Sequence, residues 1–178
     1  MNTNSRMDKS LKLVCCLLLG VYGLLLTSSC GVYSFTGASI APDVKTFSVD
    51  YIKNRASLTN PTLSQVVTQK LKDKFISQTN LSPLKADGDL RFEGYISDYN
   101  TQPIAIQSND QAAQNRLTIT VSIKFTNTKD EKQNFETTFT RFADYSAKQD
   151  LSSVESGLIE NISSQLIDDI FNKAVVNW

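Results

Sequence analysis

Few side chains in this sequence are equipped for covalent chemistry. There is no histidine, which removes the commonest general base and the commonest metal ligand together. The three cysteines are Cys15, Cys16 and Cys30. The first two lie inside an apolar run, so Cys30 is the one thiol that opens onto a polar chain. No Gly-x-Ser-x-Gly nucleophile turn and no phosphate-cradling glycine loop occurs. Carboxylates are scattered. The densest pair, Asp168-Asp169, consists of neighbours on a helical pattern. Such neighbours point in different directions and form a solvated face, not an acid–base couple. By elimination the chain reads as a binding or structural module with no cofactor and no metal site, not as an enzyme.

Cys30 has a modification context. Arg6, Lys9 and Lys12 make a basic start, and Leu13 to Leu26 is apolar apart from Gly20, Gly23 and the hydroxyl of Tyr22. That is the length of a secretory apolar region and shorter than the ~20 residues a spanning helix needs. Thr27, Ser28 and Ser29 are the small residues a signal peptidase accepts. The stretch Leu26-Thr27-Ser28-Ser29-Cys30-Gly31 resembles a lipoprotein cleavage box, with the leucine one step early and Thr27 in its usual place. The expectation is a signal peptide over residues 1–29, then a domain over residues 30–178 anchored through lipid on Cys30. The competing readings are a retained membrane anchor and plain secretion with a free thiol. An odd free thiol in an oxidising compartment is unusual, which favours lipid. Two or more acyl chains would make the anchoring stable, where one binds only marginally.

The elements behind Cys30 follow from periodicity. The 178-residue length suits one domain, at roughly 150 residues per domain. Eighteen Lys and Arg balance eighteen Asp and Glu, so no bulk field is available to attract nucleic acid. Phe47, Val49 and Tyr51 alternate with Thr46, Ser48 and Asp50, the pattern of a strand with one buried face. Asn60-Pro61 predicts a helix start. Leu63, Val67, Leu71 and Phe75 form its apolar stripe, and Asn80 and Pro83 end it.

Asp87-Gly88 turns into a second strand, with Leu90, Phe92 and Ile96 on one face. Arg91, Glu93, Tyr95, Ser97 and Tyr99 lie on the other. Gly94 suggests a bulge or a close approach. Asn100 to Asn115 reads as a long connection, either a tip reaching into a partner or a mobile surface loop.

Leu117, Ile119, Val121, Ile123 and Phe125 alternate with Thr, Ser and Lys in the strongest strand. A polar turn over Asn127 to Lys132 then leads to a strand through Phe135 and Phe139, making an antiparallel hairpin. Arg141-Phe142 breaks the alternation and suggests a bulge. Ser152 and Glu155 have capping-box spacing. Val154, Leu158, Ile162, Leu166 and Ile170 form the stripe of a last helix. That helix turns apolar all round towards Trp178, either wedged into the core or docking on another protein. The expected fold is α+β: a four-stranded, mostly antiparallel sheet with two helices packed on one face, in the order β-α-β-β-β-α.

A lipidated Cys30 followed by Gly31-Val32-Tyr33-Ser34-Phe35-Thr36-Gly37 is similar to the start of the LPS-assembly lipoproteins, the LptE family. The later pieces Asp89-Leu90-Arg91-Phe92-Glu93-Gly94-Tyr95-Ile96, Asn115-Arg116-Leu117-Thr118-Ile119-Thr120-Val121 and Phe139-Thr140-Arg141-Phe142-Ala143-Asp144-Tyr145 resemble it in the same order. The resemblance implies a protein held by lipid on the periplasmic side of the Gram-negative outer membrane. It implies a plug and assembly partner for the β-barrel LptD, which binds lipopolysaccharide on its way to the surface. It also implies a four-stranded sheet with two helices. The cations that would meet glycolipid phosphates are Arg91 and Lys124 on outward strand positions and Lys129 and Lys132 in the hairpin turn. Each of these four also has the plainer reading of a solubilising surface charge. An adaptor or pilotin for another envelope secretion machine is the alternative.

Overall fold

The computed structural model describes residues 40–58, 60–104 and 113–176. Cys30, the apolar run before it, the Val32 to Thr36 stretch and Trp178 lie outside the described residues. The chain runs β1 (Thr46–Val49), β2 (Lys53–Asn54), α1 (Leu63–Gln78), β3 (Ser82–Leu84), β4 (Leu90–Ile104), β5 (Gln114–Asn127), a 3-10 turn (Glu131–Gln133), β6 (Phe135–Ser146) and α2 (Leu151–Val175). The sheet has six strands, not four, in the order β3-β1-β4-β5-β6, and β2 also pairs with β4. The two added strands, β2 and β3, have two and three residues, too short for an alternation to reveal. One half of the sheet is parallel, because β1 pairs in that sense with both β3 and β4 and β2 does so with β4. The other half is an antiparallel meander of β4, β5 and β6.

A row of phenylalanines forms the core of the sheet's apolar face. Phe75 of α1 sits against Phe47 (ring centroids 5.3 Å), Phe92 (4.8 Å) and Phe171 of α2 (5.0 Å). Phe92 passes the contact to Phe125 at 5.0 Å, and Phe125 to Phe135 at 5.1 Å. Removing each such side chain from water stabilises the fold by about 1.5–3 kcal/mol. The β5 alternation is realised in full: Leu117, Ile119, Val121, Ile123 and Phe125 are all buried. Among the described residues no helix is long and apolar enough to cross a membrane.

The local differences from expectation have physical causes. Tyr51 does not share the buried face of β1. The strand ends at Val49, Tyr51 is 56% exposed, and Ile52 fills the core position instead. The Thr68 hydroxyl holds that exit in place, accepting from the Ile52 N–H at 3.0 Å and donating to the Ser64 carbonyl. Helix α1 starts two residues later than Asn60-Pro61 suggests. The Asn60 side chain forms a turn instead, accepting from the Thr62 N–H and hydroxyl. Tyr99 faces inward, because a bulge between Ile96 and Asp98 flips the alternation of β4.

Gly94 is required by strand approach and not by a helix: a Cβ there would lie 2.3 Å from the Ser122 carbonyl oxygen. Both ends of the expected Asn100 to Asn115 connection are strand, since β4 runs to Ile104 and β5 begins at Gln114. Residues 105–112 of that connection lie outside the described residues. The register of β5 against β6 is continuous, so Arg141-Phe142 marks no bulge. Arg141 falls on the apolar side because Asp169 of α2 accepts both of its guanidinium bonds, at 2.6 Å each. The capping box is also absent. Asp150 occupies the N-cap of α2 without a side-chain bond, and Glu155 accepts from the buried Tyr99 hydroxyl instead.

Candidate binding surface on the hydroxyl face

Period-two alternation in β4, β5 and β6 sends one set of side chains to the phenylalanine core and the other set to the opposite face of the sheet. Register arranges this second set in rows across the three strands. Asp98, Thr120 and Thr140 form one row, with the two threonine hydroxyls 3.1 Å apart. Tyr95, Ser122 and Thr138 form another, and Asn100, Thr118 and Phe142 a third. Two rows carry charge. In the first, Glu93, Lys124 and Glu136 lie side by side, with Lys124 Nζ 3.3 Å from Glu93 Oε2. In the second, Gln102, Arg116 and Asp144 lie side by side. The Arg116 guanidinium donates two bonds to Asp144, at 2.7 and 3.0 Å, and lies 3.6 Å from the centroid of the Phe142 ring. The pair holds the Asp144 carboxyl below the usual carboxylate range and raises Arg116 further.

The hydroxyl face is hollowed where β2 runs beside β4. A depression of about 350 Å³ is lined by Asp50, Tyr51, Lys53, Arg55, Glu93, Gly94, Tyr95, Ser122, Lys124 and Glu136. Gly94 contributes only backbone here, since a Cβ at this position would lie on the core side, against Ile123. Arg55 lies over the Tyr95 ring, 4.5 Å from its centroid, an arrangement that fixes the cation without neutralising it. Lys53 and Arg55 make no ion pair with a described residue. Three cations therefore face three carboxylates. Recognition on this surface rests on placed donors, rings and hydroxyls and not on a net field.

The four cations expected from the sequence do not converge. Lys124 alone belongs to the depression. Arg91 is tied to the turn before β4: its Nε donates to the Gly88 carbonyl at 3.1 Å, and its guanidinium pairs with Asp87 at 3.1 Å. Lys129 pairs with Asp89 at 3.2 Å, across the end of the sheet. Lys132 lies in the 3-10 turn and makes no ion pair with a described residue. Arg91, Lys129 and Lys132 thus belong to the end of the sheet where Asp89 accepts from the Lys45 and Thr46 N–H groups and the Thr46 hydroxyl. Those bonds, the Lys45 N–H first and then the Thr46 hydroxyl, hold the Asp89 carboxyl far below its ordinary value. Sequence reasoning missed Lys53 and Arg55. Their one signal is alternate spacing just after β1, and a two-residue strand gives too little pattern to orient them.

A protein-family model described as "LptE: Lipopolysaccharide-assembly" matches residues 44–174. No curated protein matches the sequence. Among solved structures, the hypothetical protein CT253 from Chlamydia trachomatis is similar with a TM-score of 0.51 at 9% identity, over 75% of this chain and 99% of that one. A neuraminyllactose-binding hemagglutinin homologue from Helicobacter pylori has a TM-score of 0.50 at 10% identity, over 76% and 86%. A minor lipoprotein from Acinetobacter baumannii has a TM-score of 0.48 at 15% identity, over 73% and 91%. At such identities the likeness to CT253 and to the hemagglutinin homologue concerns the fold alone.

Proposed function

The chain belongs to the lipopolysaccharide-assembly LptE family, and from that premise we propose that it is a lipid-anchored plug and assembly partner of an LptD-type outer-membrane β-barrel that binds lipopolysaccharide in transit to the cell surface. The observation that carries the reading is the family match, which spans β1 to β6 and both helices. The hydroxyl face is compatible with it. Threonine and serine hydroxyls and internally paired charges suit a wet interface with a barrel lumen, where bridging waters are common. Cys30 carries the lipid and sets the domain at the periplasmic surface of the outer membrane. Lys124, with Arg91, Lys129 and Lys132 at the end of the sheet, supplies cations for glycolipid phosphates, and Lys53 and Arg55 join Lys124 in the depression.

The test is extraction of the full chain in detergent through a tag placed after Trp178. The expected result is co-purification of one large β-barrel of the LptD type, identified by mass. A chain recovered alone would overturn the plug reading. Depletion gives an independent readout: lipopolysaccharide should fail to reach the cell surface. Normal surface lipopolysaccharide combined with failed secretion of a protein cargo would favour a pilotin.

A further inference from the structure

The two edges of the sheet are finished in different ways. At one edge, β3 has three residues and contains Pro83, which cannot donate a ladder hydrogen bond. At the other edge, β6 presents twelve residues, and among the described residues nothing pairs with its outer side. Natural sheets blunt such an edge with Lys, Pro, a bulge or a presented charge. The β6 sequence Phe135–Ser146 contains no Lys, Pro or Gly, and its register against β5 is unbroken. Its charges are Arg141, taken up by Asp169 on α2, and two outward carboxylates, Glu136 and Asp144, the second paired with Arg116.

The charge pattern says what such an edge would accept. Across the hydroxyl face the first charged row reads Glu93, Lys124, Glu136, and the second ends Arg116, Asp144. Signs alternate from strand to strand, and both rows stop on a carboxylate at β6. A further strand that continued this alternation would carry cations. Directly opposed unlike charges stabilise a strand pair, whereas like charges oppose it. A second copy of β6 cannot provide them. Its residues on this face are Glu136, Thr138, Thr140, Phe142, Asp144 and Ser146, without a cation.

We propose that the outer edge of β6 is a strand-addition site for an extended segment of a different polypeptide, with Lys or Arg at the positions opposite Glu136 and Asp144. Main-chain hydrogen bonds along β6 would supply the affinity and the two carboxylates the register, the general logic of recognition by β-augmentation. The proposal does not rest on the lipopolysaccharide-binding role above, although Glu136 also lines the depression.

Hydrogen exchange on the full chain in detergent tests the site with two synthetic peptides, one alternating Thr with Lys and one alternating Thr with Glu. The lysine peptide should slow exchange of the outward N–H groups of Phe135–Ser146 by tenfold or more at saturation, and the glutamate peptide should not. Glu136 is exposed, so Glu136→Lys removes no core contact, although it sets a second cation opposite Lys124. It should weaken the lysine peptide by about fivefold, of the order expected for one cross-strand charge pair, and improve binding of the glutamate peptide. Glu136→Gln should fall between the two. Four outcomes overturn the proposal: no protection, equal protection by both peptides, protection confined to β3, or protection that needs only a higher concentration of the chain itself.

Discussion

At the residue scale, the tightest polar knot is Asp89, which joins the starts of β1 and β4 to the turn after β5 through Lys45, Thr46 and Lys129. Its carboxylate is held far below its ordinary value, chiefly by the Lys45 N–H and then the Thr46 hydroxyl. A depressed folded-state pKa gives stability that is present above the unfolded value near 4 and lost as pH falls through that range towards the folded value. Asp89→Asn should therefore melt below the parent at pH 7. The gap in Tm should narrow steadily as pH is lowered from about 5 to about 2; a gap that stays constant would remove Asp89 as its source. Tyr99 offers a second residue-level test. Burial first, then the Glu155 bond, raises its phenol above the usual range, so the hydroxyl stays protonated and donating at every ordinary pH. Tyr99→Phe deletes one donor to a carboxylate and should cost about 1–3 kcal/mol in denaturant unfolding.

At the element scale, β4 decides what each face of the sheet presents. Its Gly94 lets the β5 backbone pass at a distance that no side chain permits, with a virtual Cβ 2.8 Å from Ile123 Cδ1 as well as inside contact range of the Ser122 carbonyl. Gly94→Ala should destabilise the domain by about 1–3 kcal/mol, as overpacking generally does, and should disturb amide shifts in β5 before those in β6. How much was legible beforehand follows from the same element. Periodicity gave the inner faces of β4 and β5 and both helical stripes, because several positions repeating at one period outvote local noise. It failed at Tyr99, where one bulged residue inverts the parity of everything after it. It failed at Glu155, whose capping-box spacing was overridden by a tertiary bond from a strand residue far away in sequence. It also could not see β2 and β3, which are strands because β4 and β1 stand beside them and not because of their own residues. The same limit hid Lys53 and Arg55 from the candidate surface.

At the scale of the whole molecule, the two faces of the sheet divide the work of stability and binding, and they can be altered separately. Phe75 joins α1 to the sheet and to α2 in one contact set, so Phe75→Ala should cost about 3–5 kcal/mol, the usual range for a fully buried ring. The exposed ion pairs between the helices, Lys70–Glu160 and Lys74–Asp168 at 2.8 Å, add little, since pairs of this kind are each worth about 0–1 kcal/mol. Lys124 on the hydroxyl face has the opposite character. It is exposed, and its neighbours on both sides are carboxylates, so removing it touches no core contact. If glycolipid phosphates meet this face, Lys124→Ala should lower lipopolysaccharide binding several-fold while Tm moves by no more than a degree or two. Phe75→Ala should do the reverse, lowering Tm while the fraction that remains folded binds normally. Binding measured by surface plasmon resonance beside a thermal melt of the same sample separates the two outcomes. Unchanged affinity in Lys124→Ala, repeated with Lys53→Ala and Arg55→Ala, would move the glycolipid away from the depression. The end of the sheet that carries Arg91, Lys129 and Lys132 would then be the next surface to mutate.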